Sequence, residues 1–325
     1  MTATSMPRGA AGAGLTGSSR AGRGDRIFKA VALLAGLVVL AVLALIAFST
    51  TKEAWPAFRS QGLSFVTSDD WVPAEGRFGA LAFIYGTLLV SAIAVLFAVP
   101  VSLGIALFAN EAASTRMRRP VVYVVDLLAA IPSVVYGLWG VLVLAPALRP
   151  LFDSLGDAFE GWPVLGTLFG PGSSGRSFLT AGIILAVMIT PIITSLSREV
   201  IATVPSAQRE AAYGMGATRW EMIRAAVLPW SRGGIVGAVM LGLGRAMGET
   251  IAVALVVGSS AQITLDLLAP GDTMAAVIAN EFGEASGTYR SALIGLGVVL
   301  FVVTIVVNVA ARSIVTRMDR RARGA

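Results

Sequence analysis

Two ionisable residues stand where an apolar helix should carry none. The run from Gly233 to about Val257 is apolar enough to cross a bilayer, yet it holds Arg245 and Glu249 within Gly244-Arg245-Ala246-Met247-Gly248-Glu249-Thr250. At the rise of an α-helix, Arg245 lies roughly 16–18 Å into the run, near the middle of the membrane. An arginine there costs about 2.5–3.5 kcal/mol even on insertion-based scales, so it must face a partner or a polar cavity. Glu249 follows four residues later, which in a continuous helix puts it on the same face, within reach of the guanidinium. Gly244 and Gly248 leave room beside the pair for another helix or a solute. Two chemistries fit. One is an internal salt bridge that fixes helix packing. The other is an anion pathway, because a guanidinium offers a planar fork of donors that matches phosphate oxygens bidentately. Glu249 would hold the fork between substrates and accept a hydrogen bond from a protonated oxyanion. Sulfate has no such proton to offer.

Other chemistries are closed. The chain has no His and no Cys, which removes the commonest general base and metal ligand together with thiolates and disulfides. Ser-His and zinc-type catalysis are therefore excluded, and a membrane-embedded enzyme is disfavoured. The two lysines, Lys29 and Lys52, do not follow a glycine-rich phosphate-cradling loop. No cofactor or metal site is expected on this chain. If ATP and Mg drive it, they act on a partner.

The elements that must position the pair follow from hydropathy. Of 325 residues 56% are hydrophobic and 14% charged, and the mean hydropathy is +0.79. That composition belongs to an all-α integral membrane protein. Residues 1–26 are poor in large apolar side chains and read as a disordered basic tail, and 27–325 as the membrane domain. Six crossings are expected. They run over Ile27 to Phe48, Gly79 to Ala109 with a bend at Pro100, and Val121 to Leu148 interrupted by Pro132 and Pro146. Phe178 to Leu196, broken by Pro191, Gly233 to about Val257, and Ser291 to Ala311 complete the set. A short helix is expected around Met274 to Glu281. Asp126, a few residues into the third crossing, is a weaker site candidate. Trp139, Trp162 and Trp230 read as belt or packing residues.

Arg and Lys fall eighteen on one side and six on the other. The heavy side holds the N-terminal stretch, the loop with Arg116, Arg118 and Arg119, the polar stretch 198–232 and the C-terminal tail. The positive-inside rule puts that side, with both termini, in the cytoplasm.

The stretch 198–232 is the only long polar interruption between two crossings on that side. Pro205 suits a helix start, Ser206 to Tyr213 a short helix, and Gly214 and Gly216 a sharp turn. Ala217 to Val227 suits a second helix, stopped near Leu228 by Pro229. The result is an elbow with a small Ala-Ala-Gly surface that another backbone could approach. A basic helix pair lying on the membrane surface is the plainer alternative.

Glu210-Ala211-Ala212, Gly216 and the later Leu228-Pro229 resemble the EAA loop of ABC-importer permeases, with Ala226 where that pattern often has Ile. Gly244 to Thr250 resembles the signature of the phosphate-specific permeases of such importers. So do the stretches from Phe78 to Leu88 and from Ile131 to Gly140, which spread the likeness over about Phe78 to Val257. The resemblance implies a six-helix permease with both termini inside and a coupling elbow seated on an ATPase through Glu210, Ala211, Ala212 and Gly216. It implies inorganic phosphate as substrate, on a path containing Arg245 and Glu249. The implied partners are a PstA-like permease in a heterodimer, two PstB-like ATPases and a PstS-like phosphate-binding protein, in the plasma membrane of a prokaryote. The rival readings are a permease for molybdate or phosphonate, and an anion carrier or channel without an ATPase. The exposed elbow separates the last from the rest, since an autonomous carrier has no need of it.

Overall fold

The computed structural model describes residues 19–170 and 174–323. The chain divides into two compact units, residues 1–49 and 50–325. Among the described residues, six helical stretches are long and apolar enough to cross a membrane: Gly24–Gln61, Leu81–Ala112, Ser133–Phe159, Phe178–Ala202, Arg219–Met247 and Gly287–Ser313. Helix α1 (Ser19–Gln61) begins before the expected first crossing, so 19–26 are helical; residues 1–18 of the expected tail lie outside the described residues. In the first unit the large apolar side chains from Ile27 to Phe48 are exposed, as lipid-facing residues are.

The second unit opens with the end of α1, the turn α2 (Ser64–Thr67) and a small antiparallel hairpin, β1 (Trp71–Val72) against β2 (Arg77–Phe78). α3 (Leu81–Leu107) passes through Pro100 and closes in a π-turn at Phe108–Ala112. The expected third crossing, Val121 to Leu148, is not one helix, and the apolar stretch that takes its place begins only at Ser133. α4 (Thr115–Ala130) stops where Pro132 holds Ile131 extended, at φ −69° and ψ 128°. α5 (Ser133–Trp139) resumes and runs through a π-turn at Gly140–Leu144 into α6 (Ala145–Phe159). α7 (Leu165–Leu168) precedes α8 (Phe178–Ala202), which continues through the buried Pro191 and is not broken there.

Two prolines expected to interrupt or stop helices do neither, for one reason. Pro146 and Pro229 each follow a π-turn, in which the Ala145 N–H donates to the Gly140 carbonyl and the Leu228 N–H to that of Ile223. The extra residue shifts the hydrogen-bond register just where the ring would meet the preceding turn. α9 (Ser206–Gly214) and α10 (Arg219–Met222) therefore form the elbow, and α10 passes through the π-turn Ile223–Val227 into α11 (Leu228–Met247) without a stop. The expected fifth crossing, Gly233 to about Val257, breaks instead at residues 248–250, before α12 (Ile251–Val256), so its long apolar helix ends at Met247. α13 (Met274–Glu281) falls where expected, and α14 (Gly287–Arg323) forms the last crossing.

α3, α8 and α11 make the core, around Val90, Ile93, Leu185, Ile189 and Ile193. Small residues set the spacing: a Cβ at Gly242 of α11 would stand 2.7 Å from Ile193 of α8. The return segment 258–273 supplies acceptors for the first N–H groups of α8. Phe178 N–H donates to the Ala269 carbonyl (3.2 Å) and Leu179 N–H to that of Leu267 (2.9 Å). Glu281 of α13 clasps the hairpin to the last helix, accepting from Trp71 Nε1 at 3.1 Å and from the Tyr289 hydroxyl at 2.6 Å.

Candidate functional site

The break in the fifth crossing falls inside the segment that carries both charges. α11 ends at Met247, and Gly248 takes φ −94° and ψ 2°. Its N–H still reaches the Gly244 carbonyl at 3.3 Å, but the Glu249 N–H turns to the Ala246 carbonyl, also at 3.3 Å. The chain has left the α-helical register by Glu249, so the same-face placement expected of a continuous helix fails. Glu249 caps the next helix instead, its Oε1 accepting from the Ala252 N–H at 3.3 Å. Among the described residues Arg245 and Glu249 form no ion pair.

The two side chains serve different spaces. Arg245 is exposed and lines a cavity of about 600 Å³ with Gly237, Gly244, Asn308 and Arg312. Glu249 is half-buried and lines a closed slot with Thr87, Ser91 and Thr273. The Ser91 hydroxyl is buried there without a hydrogen-bond partner among the described residues. A helix broken at membrane depth is tolerated where its backbone is buried in protein or lines a cavity, which are the positions where transporters place binding groups.

The elbow is built by three local devices. Gly216 N–H donates to the Tyr213 carbonyl (2.9 Å) and Ala217 N–H to that of Ala212 (3.1 Å), the paired bonds that end a helix in a left-handed residue. Gly216 is that residue, at φ +84°. Thr218 and Glu221 then cap α10 reciprocally: Thr218 N–H donates to Glu221 Oε2 at 2.7 Å, and Glu221 N–H to the Thr218 hydroxyl at 3.4 Å.

Of the elbow residues picked out by spacing, Glu210, Ala211 and Gly216 are exposed. Ala212 is not. It is 5% exposed and packs inward with Ala106, Ile201, Met222 and Ile223, because the turn at Gly216 folds α10 back over it. The outward apolar surface comes from Tyr213, Met215 and Trp220, exposed by 47%, 83% and 63%. Asp126 is exposed and lines a separate cavity with Arg118, Arg119 and Arg198, away from Arg245 and Glu249.

Hydropathy and spacing missed the contact that seats the elbow. Arg209 donates to Glu111 Oε1 at 2.8 Å and to the Ile201 carbonyl at 3.1 Å, and Asn110 Nδ2 donates to the Arg198 carbonyl at 2.7 Å. Glu111 sits in the π-turn that ends α3, ninety-eight residues away, and no local pattern links it to Arg209. The one signal was Glu111 itself, an acid beside a strongly basic loop.

The model of the family described as binding-protein-dependent transport system inner membrane component matches residues 98–324. A phosphate transport system permease protein PstC of Mesorhizobium japonicum is 47% identical over 302 residues, covering 91% of each chain. Another protein so named, from Xylella fastidiosa strain Temecula1, is 46% identical and covers 93% of this chain and 94% of its own. Among solved structures, a bacterial alginate ABC transporter in complex with its alginate-bound periplasmic protein superposes with a TM-score of 0.60. That match covers 91% of this chain and 96% of the other at 20% identity, a likeness of fold alone.

Proposed function

The chain belongs to the binding-protein-dependent transport system inner membrane component family, and on that premise we propose that it is a permease subunit of an ATP-driven phosphate importer. The observation that carries the reading is the guanidinium of Arg245, which lines a cavity near the end of α11 and has no ion-pair partner among the described residues. The likeness to phosphate permeases over about nine-tenths of the chain supports the choice of substrate.

Arg245 presents its planar fork to the phosphate oxygens, a geometry that lysine cannot reproduce. Glu249 accepts a hydrogen bond from a protonated phosphate oxygen when the slot opens, which favours phosphate over a fully deprotonated sulfate. This chain supplies half of the path, and a PstA-like permease the other half. The charge asymmetry supports both termini and the elbow on the cytoplasmic side of a prokaryotic plasma membrane. There the exposed Tyr213, Met215 and Trp220 add apolar surface to the elbow that carries Ala211 and Gly216, for a PstB-like ATPase, where ATP and Mg are bound and hydrolysed. A PstS-like protein delivers phosphate on the opposite side. Closure of the ATPases moves the elbow, and Arg209 carries that motion through Glu111 to α3.

Purification from native membranes tests the assembly directly. A second permease, an ATPase and a phosphate-binding protein are expected to co-purify. Recovery of this chain alone, under conditions that preserve other ABC complexes, contradicts the reading and favours a stand-alone carrier.

A further inference from the structure

The cavity beside Arg245 carries a second guanidinium. Asn308 and Arg312 of α14 line it together with Arg245, Gly237 and Gly244 of α11 and Ile192 of α8. Four residues apart on one helix, Asn308 and Arg312 share a face, and both also line an adjoining hollow of about 290 Å³. The Asn308 amide is oriented by a 3.0 Å bond from Nδ2 to the Thr304 carbonyl, which leaves a second N–H available. Among the described residues neither Arg245 nor Arg312 has a hydrogen-bond or ion-pair partner, and no carboxylate lines the cavity. Two like charges lining one cavity repel each other. An anion between them reverses the sign. The two glycines leave the space that a tetrahedral oxyanion needs.

We propose that Arg245, Asn308 and Arg312 form one station for a phosphate-class oxyanion, in which the last helix supplies a second guanidinium fork. This rests on the reading of Arg245 as a pathway residue. Phosphoryl oxygens reach such a station from two sources, free inorganic phosphate and a phospholipid headgroup.

The test is arginine-selective labelling of the assembled importer by phenylglyoxal, read at Arg312 by mass spectrometry. In phosphate-free maltoside micelles, saturating inorganic phosphate is expected to slow labelling about tenfold, while chloride at equal ionic strength does not. Slowing by added phosphatidylglycerol alone assigns the station to a headgroup. Slowing by neither overturns the proposal. In Arg245→Gln the protection of Arg312 should largely vanish, because the two forks share one anion; undiminished protection there also overturns the shared station. Labelling reads occupancy and not uptake. Protection without ATP-driven uptake leaves the station standing and sinks the importer reading, whereas uptake without protection sinks the station alone.

Discussion

Arg209 Nη2 stands 2.8 Å from Glu111 Oε1 and joins the first elbow helix to the end of α3. The Glu111 side chain is only 6% exposed and that of Arg209 23%, so the pair is largely out of water. Removing one partner strands the other, at a cost of roughly 3–5 kcal/mol for a fully buried pair and toward the lower end here. Glu111→Gln should therefore lower the melting temperature of the purified complex and speed hydrogen exchange in α9. A variant that melts and exchanges like the parent would contradict the role given to this pair.

Gly216 separates backbone strain from bulk. At φ +84° a side chain with a Cβ is strained by about 1–2 kcal/mol, while nothing lies within 4 Å of the position a Cβ would take. Asparagine tolerates this conformation better than alanine. The expected order of transport-coupled ATPase activity is glycine, then Gly216→Asn, Gly216→Ala and Gly216→Leu. Equal loss in Gly216→Asn and Gly216→Leu would mean that surface bulk, and not the left-handed turn, decides coupling.

The crossings were legible because eighteen or more apolar residues in a row have few other uses. The elbow was legible because Pro205 and the glycines punctuate it. Pro146 and Pro229 misled, since a π-turn ahead of each ring lets the helix pass, and nothing in the residue types announces a π-turn. The break at Gly248 was invisible for the opposite reason: Arg245, Ala246, Met247 and Glu249 are all good helix formers, and a lone glycine in an apolar run does not by itself fix where a helix stops. The inward turn of Ala212 likewise depends on how α10 folds back.

Burial pushes the Asp272 carboxyl up to about 7 from its ordinary 3.8, opposed by the Thr273 N–H that donates to it and reinforced by Glu281. Between those values the folded chain holds a proton that the unfolded chain releases. The stabilisation is full below about pH 4 and is lost as pH rises through about 7. Asp272→Asn keeps the acceptor for Thr273 and removes the titration. Its melting temperature should match the parent near pH 4, rise above it up to pH 7, and keep a constant margin beyond. Parallel curves across that range would show that this carboxyl does not titrate there.

Glu249 combines a cap and a charge, and two variants separate them. Glu249→Gln retains an oxygen for the Ala252 N–H, so assembly should persist while phosphate uptake falls. Glu249→Ala removes the cap as well, at about 1 kcal/mol, and should also reduce the amount of assembled complex. Uptake by Glu249→Gln at the parent's rate would reduce Glu249 to a capping residue.

The most direct measurement is ATP-driven phosphate accumulation in proteoliposomes holding the complete importer, with Arg245→Gln beside the parent. The parent should concentrate phosphate only when ATP and the binding protein are both present. Arg245→Gln should insert and assemble normally, since the arginine has no ion-pair partner to lose among the described residues, and accumulate no phosphate. Arg245→Lys, which keeps the charge without the fork, should be severely impaired. Accumulation by Arg245→Gln at the parent's rate would contradict a phosphate path through Arg245.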